Sequence, residues 1–140
     1  MKPELYCFPA ELNTLPALMG HLYKAASNFD ATSRLRAETA LEELFANSVH
    51  HGYGDASGHM VWFGALETEQ ELLIHYQDEA PAFDPFTKLE HIISTLDAPL
   101  ENRPVGGLGR LMVTRLADSA LYARIGERNC VELRFSPRHA

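Results

Sequence analysis

The spacing of apolar residues changes along this chain, and that change limits the fold more than any other feature of the sequence. Between residues 12 and 54 these residues recur at steps of three and four, which is the period of amphipathic helices. The first stretch carries Leu15, Met19, Leu22, Ala26 and Phe29, and one face of the second carries Ala37, Leu41, Leu44 and Ser48. Asp30 or Thr32 is suited to cap the second helix, which we expect to end near Gly52 or Gly54.

Short apolar runs bounded by polar or turn residues predict strands in the rest of the chain. They cover residues 4–9, 60–66, 71–76, 120–124 and 131–135. A proline-bearing stretch then leads to Gly106–Gly109, which opens a third predicted helix. The order βααββ, loop, αββ predicts an α+β two-layer sandwich with helices on one face of a mixed, mostly antiparallel sheet. At this length we expect residues 1–140 to form one domain.

Composition and charge exclude several classes of function. The formal net charge of −7 gives an acidic surface that repels phosphate backbones, so we expect no direct contact with nucleic acid. No apolar run approaches the roughly 20 residues that span a bilayer, and the first residues lack the apolar core of a signal peptide. We therefore expect a cytoplasmic protein with no membrane segment, in which Cys7 and Cys130 are free thiols rather than a disulfide.

The second predicted helix carries polar residues suited to phosphate chemistry. Glu43 and Asn47 are four residues apart, so their side chains are neighbours on the helix surface. An amide oxygen is a hard ligand for Mg²⁺, and a carboxylate can accept a proton from an attacking hydroxyl. A solvated helix face explains the same residues. A metal site on His50 and His51 is disfavoured, because adjacent helical residues point about 100° apart.

Two later segments have the composition of ligand sites. Asp78 ends a predicted strand, where its carboxylate can accept a hydrogen bond from an exocyclic amine such as that of adenine; a turn capped by Asp78 or Asp84 is the alternative. Gly106–Gly109 precedes a helix, and its backbone N–H groups can hold a phosphate, although a flexible hinge explains the same glycines. Arg103 and Arg110 are either further phosphate ligands or surface charges.

In this order, the three segments resemble the motifs of the GHKL ATPase superfamily, and most closely those of the anti-sigma-factor serine/threonine kinases. The likeness spans essentially the whole chain. The first motif, Glu-x-x-x-Asn-x-x-x-His-Gly/Ala-Tyr, is matched by Glu43, Asn47, His51, Gly52 and Tyr53. The second, Asp-x-Gly-x-Gly followed by Phe-Asp-Pro, is matched by residues 78–85, with Ala80 and Ala82 in place of the glycines. The third, Gly-Gly-x-Gly before an aliphatic helix, is matched by Gly106–Gly109.

The resemblance implies the Bergerat ATP-binding fold and a role for each matching residue. Glu43 would be the general base, Asn47 the Mg²⁺ ligand and Asp78 the reader of adenine. The residues implied to lie against the nucleotide are further Ala82, Gly106, Gly107, Leu108 and Gly109, with the glycines around its phosphates. Residues 85–105 would form an ATP lid.

The resemblance also implies partners. Kinases of this kind bind a sigma factor, phosphorylate a Ser or Thr of a STAS-domain anti-anti-sigma protein, and commonly work as homodimers. The implied function is therefore that of an anti-sigma factor serine/threonine kinase in transcription regulation, dependent on ATP and Mg²⁺. Ala80 and Ala82 support a second hypothesis, because alanine resists the positive φ that glycine adopts freely. In that hypothesis the domain has weak or lost ATP binding and acts as a non-catalytic protein-binding module.

Overall fold

The computed structural model describes residues 2–86 and 113–138, in which a five-stranded sheet carries its helices on one face. The strands are β1 (Tyr6–Pro9), β2 (Met60–Glu67), β3 (Leu72–Asp78), β4 (Ser119–Ile125) and β5 (Arg128–Phe135). Their spatial order is β1-β2-β3-β5-β4, and every pairing described is antiparallel. The helices are α1 (Leu15–Ala25) and α2 (Ala31–Asn47), and residues 113–116 are also helical. The predicted α+β two-layer architecture is confirmed.

Both long helices begin close to the predicted positions, but only α2 also ends close to its predicted position. The side chain of Asp30 accepts a hydrogen bond from the backbone N–H of Ser33 at 3.0 Å, so Asp30 is the N-cap of α2. The first helix is shorter than its apolar spacing predicts, because it ends at Ala25 and Phe29 is buried from the connecting turn instead. The apolar spacing continues beyond the end of the helix because the connecting turn also contributes a side chain, that of Phe29, to the same core.

Alternation along the strands divides the sheet into a helix face and an open face. On the helix face, β3 and β5 place facing pairs in register, and these pairs are Leu72 with Phe135, Ile74 with Leu133, and Tyr76 with Val131. All six side chains are buried against helix residues such as Leu22 and Leu41. The next pair in the same alternation is Asp78 with Asn129. A polar pair therefore lies in line with the apolar core, at one end of the sheet.

Arg36 of α2 connects the helical residues 113–116 to the C-terminal segment. Its guanidinium donates hydrogen bonds to the carbonyl oxygens of Leu116 and Ser136, and it lies 3.6 Å from the carboxylate of Asp118. One side chain thus holds two chain segments against α2.

The two cysteines are free, as predicted. Cys7 and Cys130 lie in one row across the sheet, with Trp62 and Gln77 on the two strands between them. Neighbouring strands are about 4.8 Å apart, so three spacings separate the cysteines by roughly 14 Å, which is well beyond the reach of a disulfide.

Parts of the predicted site lie outside the described residues. These parts are most of the predicted lid (85–105), Arg103, Arg110 and the loop with Gly106, Gly107, Leu108 and Gly109. In the two described ranges, no helix is both long and apolar enough to cross a membrane.

Candidate functional site

A cavity of about 400 Å³ lies where the end of α2 meets the ends of β3 and β5. This volume lies within the range of small-molecule sites. The described residues that line it are Leu44, Asn47, Ser48, His51, Gly52, Tyr76, Asp78, Ala80, Pro81, Ala82, Phe83, Pro85, Asn129 and Val131. Two of the three predicted segments, those around Asn47 and Asp78, therefore meet at one cavity.

The end of α2 widens into a π-type turn over Ser48–Gly52. The backbone N–H of Tyr53 donates to the carbonyl oxygen of Ser48 at 2.8 Å, five residues back. Turns of this kind are rare and occur frequently at functional sites. Ser48 and Gly52 of this turn line the cavity.

Asp78 is buried, and its carboxylate is held by three hydrogen bonds. Oδ2 accepts one from the hydroxyl of Ser48 at 2.6 Å. Oδ1 accepts one from Nδ2 of Asn129 at 2.8 Å and one from the backbone N–H of Ala80 at 3.2 Å. The bond to Ala80 is the short-range turn contact that the alternative interpretation of Asp78 predicted. Asp78 thus both shapes a turn and presents its carboxylate to the cavity.

Tyr76 extends this network into the core. Its hydroxyl donates to Oγ of Ser48 at 2.7 Å, so Ser48 accepts from Tyr76 and donates to Asp78. Burial raises the pKa of Tyr76 well above its usual value, which keeps the phenol protonated as a donor. The order of donors therefore runs from Tyr76 through Ser48 to the carboxylate.

Asn129 organises the segment that follows Asp78. Its Nδ2 donates to the carboxylate of Asp78, to the carbonyl of Ala80 at 3.2 Å and to the carbonyl of Pro81 at 3.1 Å. Its Oδ1 accepts from the hydroxyl of Tyr122 at 2.6 Å and from the backbone N–H of Phe83 at 3.1 Å. One buried side chain thus fixes the chain from residue 78 to residue 83.

The sequence analysis did not assign Ser48, Tyr76 or Asn129 to the site. A signal for two of them is present in the sequence. Ser48 is a hydroxyl on an otherwise apolar helix stripe, and Asn129 has the same strand parity as the buried Val131. A polar residue at a core position needs a buried partner, and that partner is Asp78.

The two alanines of the second motif do not strain the backbone. Among the described residues that are not glycine, positive φ occurs only at Asp55, so Ala80 and Ala82 have φ values that alanine adopts without penalty. Ala80 is buried, and Ala82 is exposed and lines the cavity. The expectation that alanine is unfavourable here because it resists positive φ is therefore wrong for this chain.

The two residues predicted for phosphate chemistry differ in position. Asn47 is half-buried and lines the cavity. Glu43 is half-buried one turn earlier on α2 and is not among the described residues of the lining.

The two histidines lie in different surroundings. His51 lines the cavity, but Nδ1 of His50 lies 2.5 Å from Oδ1 of Asp55 at the surface. Within the described ranges, no three His, Cys, Asp or Glu residues are placed to hold a metal ion. A Mg²⁺ ion held by one protein oxygen and by phosphate oxygens needs no such group, so the amide oxygen of Asn47 fits that use.

Comparisons with known proteins agree with this architecture. A family model for the histidine kinase-like ATPase domain matches residues 8–135. The structure is similar to that of the Acinetobacter baumannii histidine kinase AdeS, with a TM-score of 0.50 over 99% of this chain and 70% of that chain. The sequence identity is 13%, so this likeness concerns the fold alone. No match was found among curated proteins. The family model covers nearly the whole sequence, and the chain belongs to the histidine kinase-like ATPase family.

Proposed function

We propose that this domain binds Mg-ATP and acts as an anti-sigma factor serine/threonine kinase. In this proposal it binds a sigma factor, phosphorylates a STAS-domain anti-anti-sigma protein, and works as a homodimer. Family membership supports ATP binding and a kinase-like regulatory role. The observation that carries the proposal is the buried carboxylate of Asp78 at the wall of the cavity.

Asp78 has one acceptor position left for a ligand. A carboxylate offers about four lone-pair positions. Ser48, Asn129 and the backbone of Ala80 occupy three, two of them on Oδ1. The remaining position, on Oδ2, can accept one N–H of the 6-amino group of adenine. Guanine presents N1–H and a 2-amino group side by side and would need both oxygens, so the arrangement favours adenine.

Two residues of α2 support phosphate transfer. Asn47 lines the cavity, and its amide oxygen would hold Mg²⁺, which supplies charge neutralisation at the phosphate oxygens when bound. Glu43 lies four residues earlier on the same helix, and its carboxylate would accept the proton of the attacking hydroxyl. Asn47 therefore has a binding role and Glu43 a proton-accepting role.

Titration calorimetry with Mg-ATP tests the binding step. Asp78→Asn replaces an acceptor oxygen by an NH₂ group, so we expect ATP affinity to fall about 10- to 100-fold. Asp55→Asn makes the same change at an exposed position outside the cavity lining and should bind like wild type. Absence of ATP binding in the wild type would refute the proposal, and equal affinity in Asp78→Asn would remove Asp78 from the site.

Phosphate transfer from labelled ATP to a cognate STAS protein tests the catalytic step. We expect Glu43→Gln to slow transfer by about 10²- to 10⁴-fold at unchanged ATP affinity, because only the proton acceptor is lost. Glu42→Gln is the matched control, since Glu42 is the adjacent, exposed carboxylate of the same helix. Equal rates for the two variants would show that Glu43 is not the base.

One observation favours a second function, that of a non-catalytic partner-binding module. Glu43 is not among the described residues that line the cavity, as the base of a kinase would be. This function predicts no thermal shift with Mg-ATP and unchanged affinity for a partner protein. A thermal shift together with phosphate transfer would exclude it.

A further inference from the structure

Gly52 and Ala80 meet directly beside the carboxylate of Asp78. A Cβ atom built on Gly52 would lie 2.9 Å from Cβ of Ala80 and 3.7 Å from Oδ2 of Asp78. Carbon atoms pack at about 3.5–4.0 Å, so this space accepts one methyl group and not two. Ala80 is 2% exposed, and its methyl group occupies the space that a side chain at position 52 would need.

The backbone of Ala80 is held on both sides. Its N–H donates to Oδ1 of Asp78 at 3.2 Å. Its carbonyl oxygen accepts from Arg124 at 2.8 Å and from Nδ2 of Asn129 at 3.2 Å. Because Cβ is bonded directly to this backbone, the methyl group cannot move aside unless the peptide that holds Asp78 moves with it.

We propose that Gly52 and Ala80 form a size-matched pair that positions the carboxylate of Asp78 for recognition of the base. The proposal rests on the nucleotide function proposed above and extends the site from Asp78 to two residues that act through it. Alanine at position 80 is compatible with the site because position 52 has no side chain. A methyl group at position 52 alone would displace Ala80 and rotate the carboxylate away from the 6-amino group of adenine.

A double-mutant cycle tests the pair with wild type, Gly52→Ala, Ala80→Gly and the exchange variant that carries both substitutions. ATP and ITP are the two probes, because ITP has an oxygen in place of the 6-amino group and a proton on the adjacent N1. We expect Gly52→Ala to weaken ATP binding about tenfold and to reduce the preference for ATP over ITP. The exchange variant should recover ATP affinity to within about threefold of wild type, because it again places one methyl group in the space. Gly20→Ala is the control, since a Cβ atom on Gly20 meets no atom within 4 Å.

If the wild type binds nucleotide, two results would overturn the positioning role. Additive losses in the exchange variant would show that the two positions are not coupled. Equal weakening of ATP and ITP in Gly52→Ala would show a purely structural effect, since the two probes differ only at the edge of the base that faces Asp78, at the 6-position and at N1. If the wild type binds no nucleotide, the proposed function and the positioning role both fail. The thermal midpoints of the four proteins then still decide whether the two positions are a steric pair.

Discussion

The two faces of the sheet hold their polar groups in different ways. At the cavity end of the helix face, Ser48, Asp78 and Asn129 are buried, and Ser48 and Asn129 each donate a hydrogen bond to the carboxylate of Asp78. On the open face, Nε2 of His75 lies 2.9 Å from Glu132, and water reaches both side chains. A buried group that loses its partner is left without a hydrogen bond, whereas water replaces a lost partner at the surface. Loss of the same kind of contact therefore lowers stability strongly on the helix face and weakly on the open face.

This difference explains why the candidate site lies at the buried end. A carboxylate held by neutral donors in a buried environment keeps one geometry and interacts strongly with a further donor. No salt bridge within the described residues joins Asp78 to a cation, so its remaining acceptor position is not neutralised. On the open face, by contrast, charged side chains are already paired with one another.

The largest effect is expected when the buried network loses Asn129. Asn129→Ala removes the donor to Asp78 and to two carbonyl oxygens, and the acceptor for Tyr122 and for the backbone of Phe83. We expect the free energy of unfolding in urea to fall by about 2–4 kcal/mol. Asn28→Ala is the control at an exposed position. A loss below about 1 kcal/mol would show that water replaces the amide.

A smaller effect is expected at Ser48. Ser48→Ala leaves the phenol of Tyr76 without an acceptor and removes one donor from Asp78, so we expect a loss of about 1–2 kcal/mol. Tyr76→Phe should cost less, because Ser48 can still donate to Asp78. Urea unfolding of both variants and of the double variant measures the coupling, with Ser27→Ala as an exposed control. Strictly additive losses would contradict a shared chain of hydrogen bonds.

The open face should respond weakly and in a pH-dependent manner. Burial alone would raise the pKa of Glu132, but the hydrogen bond with His75 and the charge of Arg134 outweigh it and hold that pKa below its usual value. A lowered folded-state pKa contributes stability above the unfolded-state pKa, and this is lost as the pH falls through the folded-state value. Glu132→Gln should therefore cost below about 1 kcal/mol at pH 7.

Unfolding in urea at pH 7 and at pH 3 checks this expectation. The difference between wild type and Glu132→Gln should shrink in acid, because the stability contributed by the ionised carboxylate is lost as the pH falls through its lowered folded-state pKa. A difference that is independent of pH would show that packing, rather than charge, accounts for the effect.

The smallest effect on stability is expected from the thiols. Cys7 and Cys130 are free, so the thermal midpoint should not change when a reductant is added. Their reactivity should differ, because burial raises the pKa of Cys130 and leaves less thiolate, while Cys7 is exposed. Labelling with a chromogenic disulfide should be faster in Cys130→Ser, which retains Cys7, than in Cys7→Ser. The reverse order would contradict the described burial of Cys130.

The fold was predictable because each of its elements depends on local periodicity. Apolar steps of three and four marked α1 and α2, and short apolar runs bounded by polar or turn residues marked the strands. Asp30, one of the two predicted caps, is the N-cap of α2. The predicted end of α1 was wrong, since the apolar residue in the connecting turn continues the spacing of the apolar residues in the helix. For the candidate site, the motif positions Asn47 and Asp78 were identified from the order of residues along the chain, and both line the cavity.

By itself the sequence determined the layers of the fold, the two motif segments that meet at the cavity and the free state of the cysteines. Only the tertiary structure decided which residues hold Asp78. Asn129 is 51 residues away from it in the chain, and the strand register brings the two together. Tertiary structure also decided how alanine at position 80 affects the site. Whether its methyl group is tolerated depends on the space beside Gly52, and packing across distant segments creates that space.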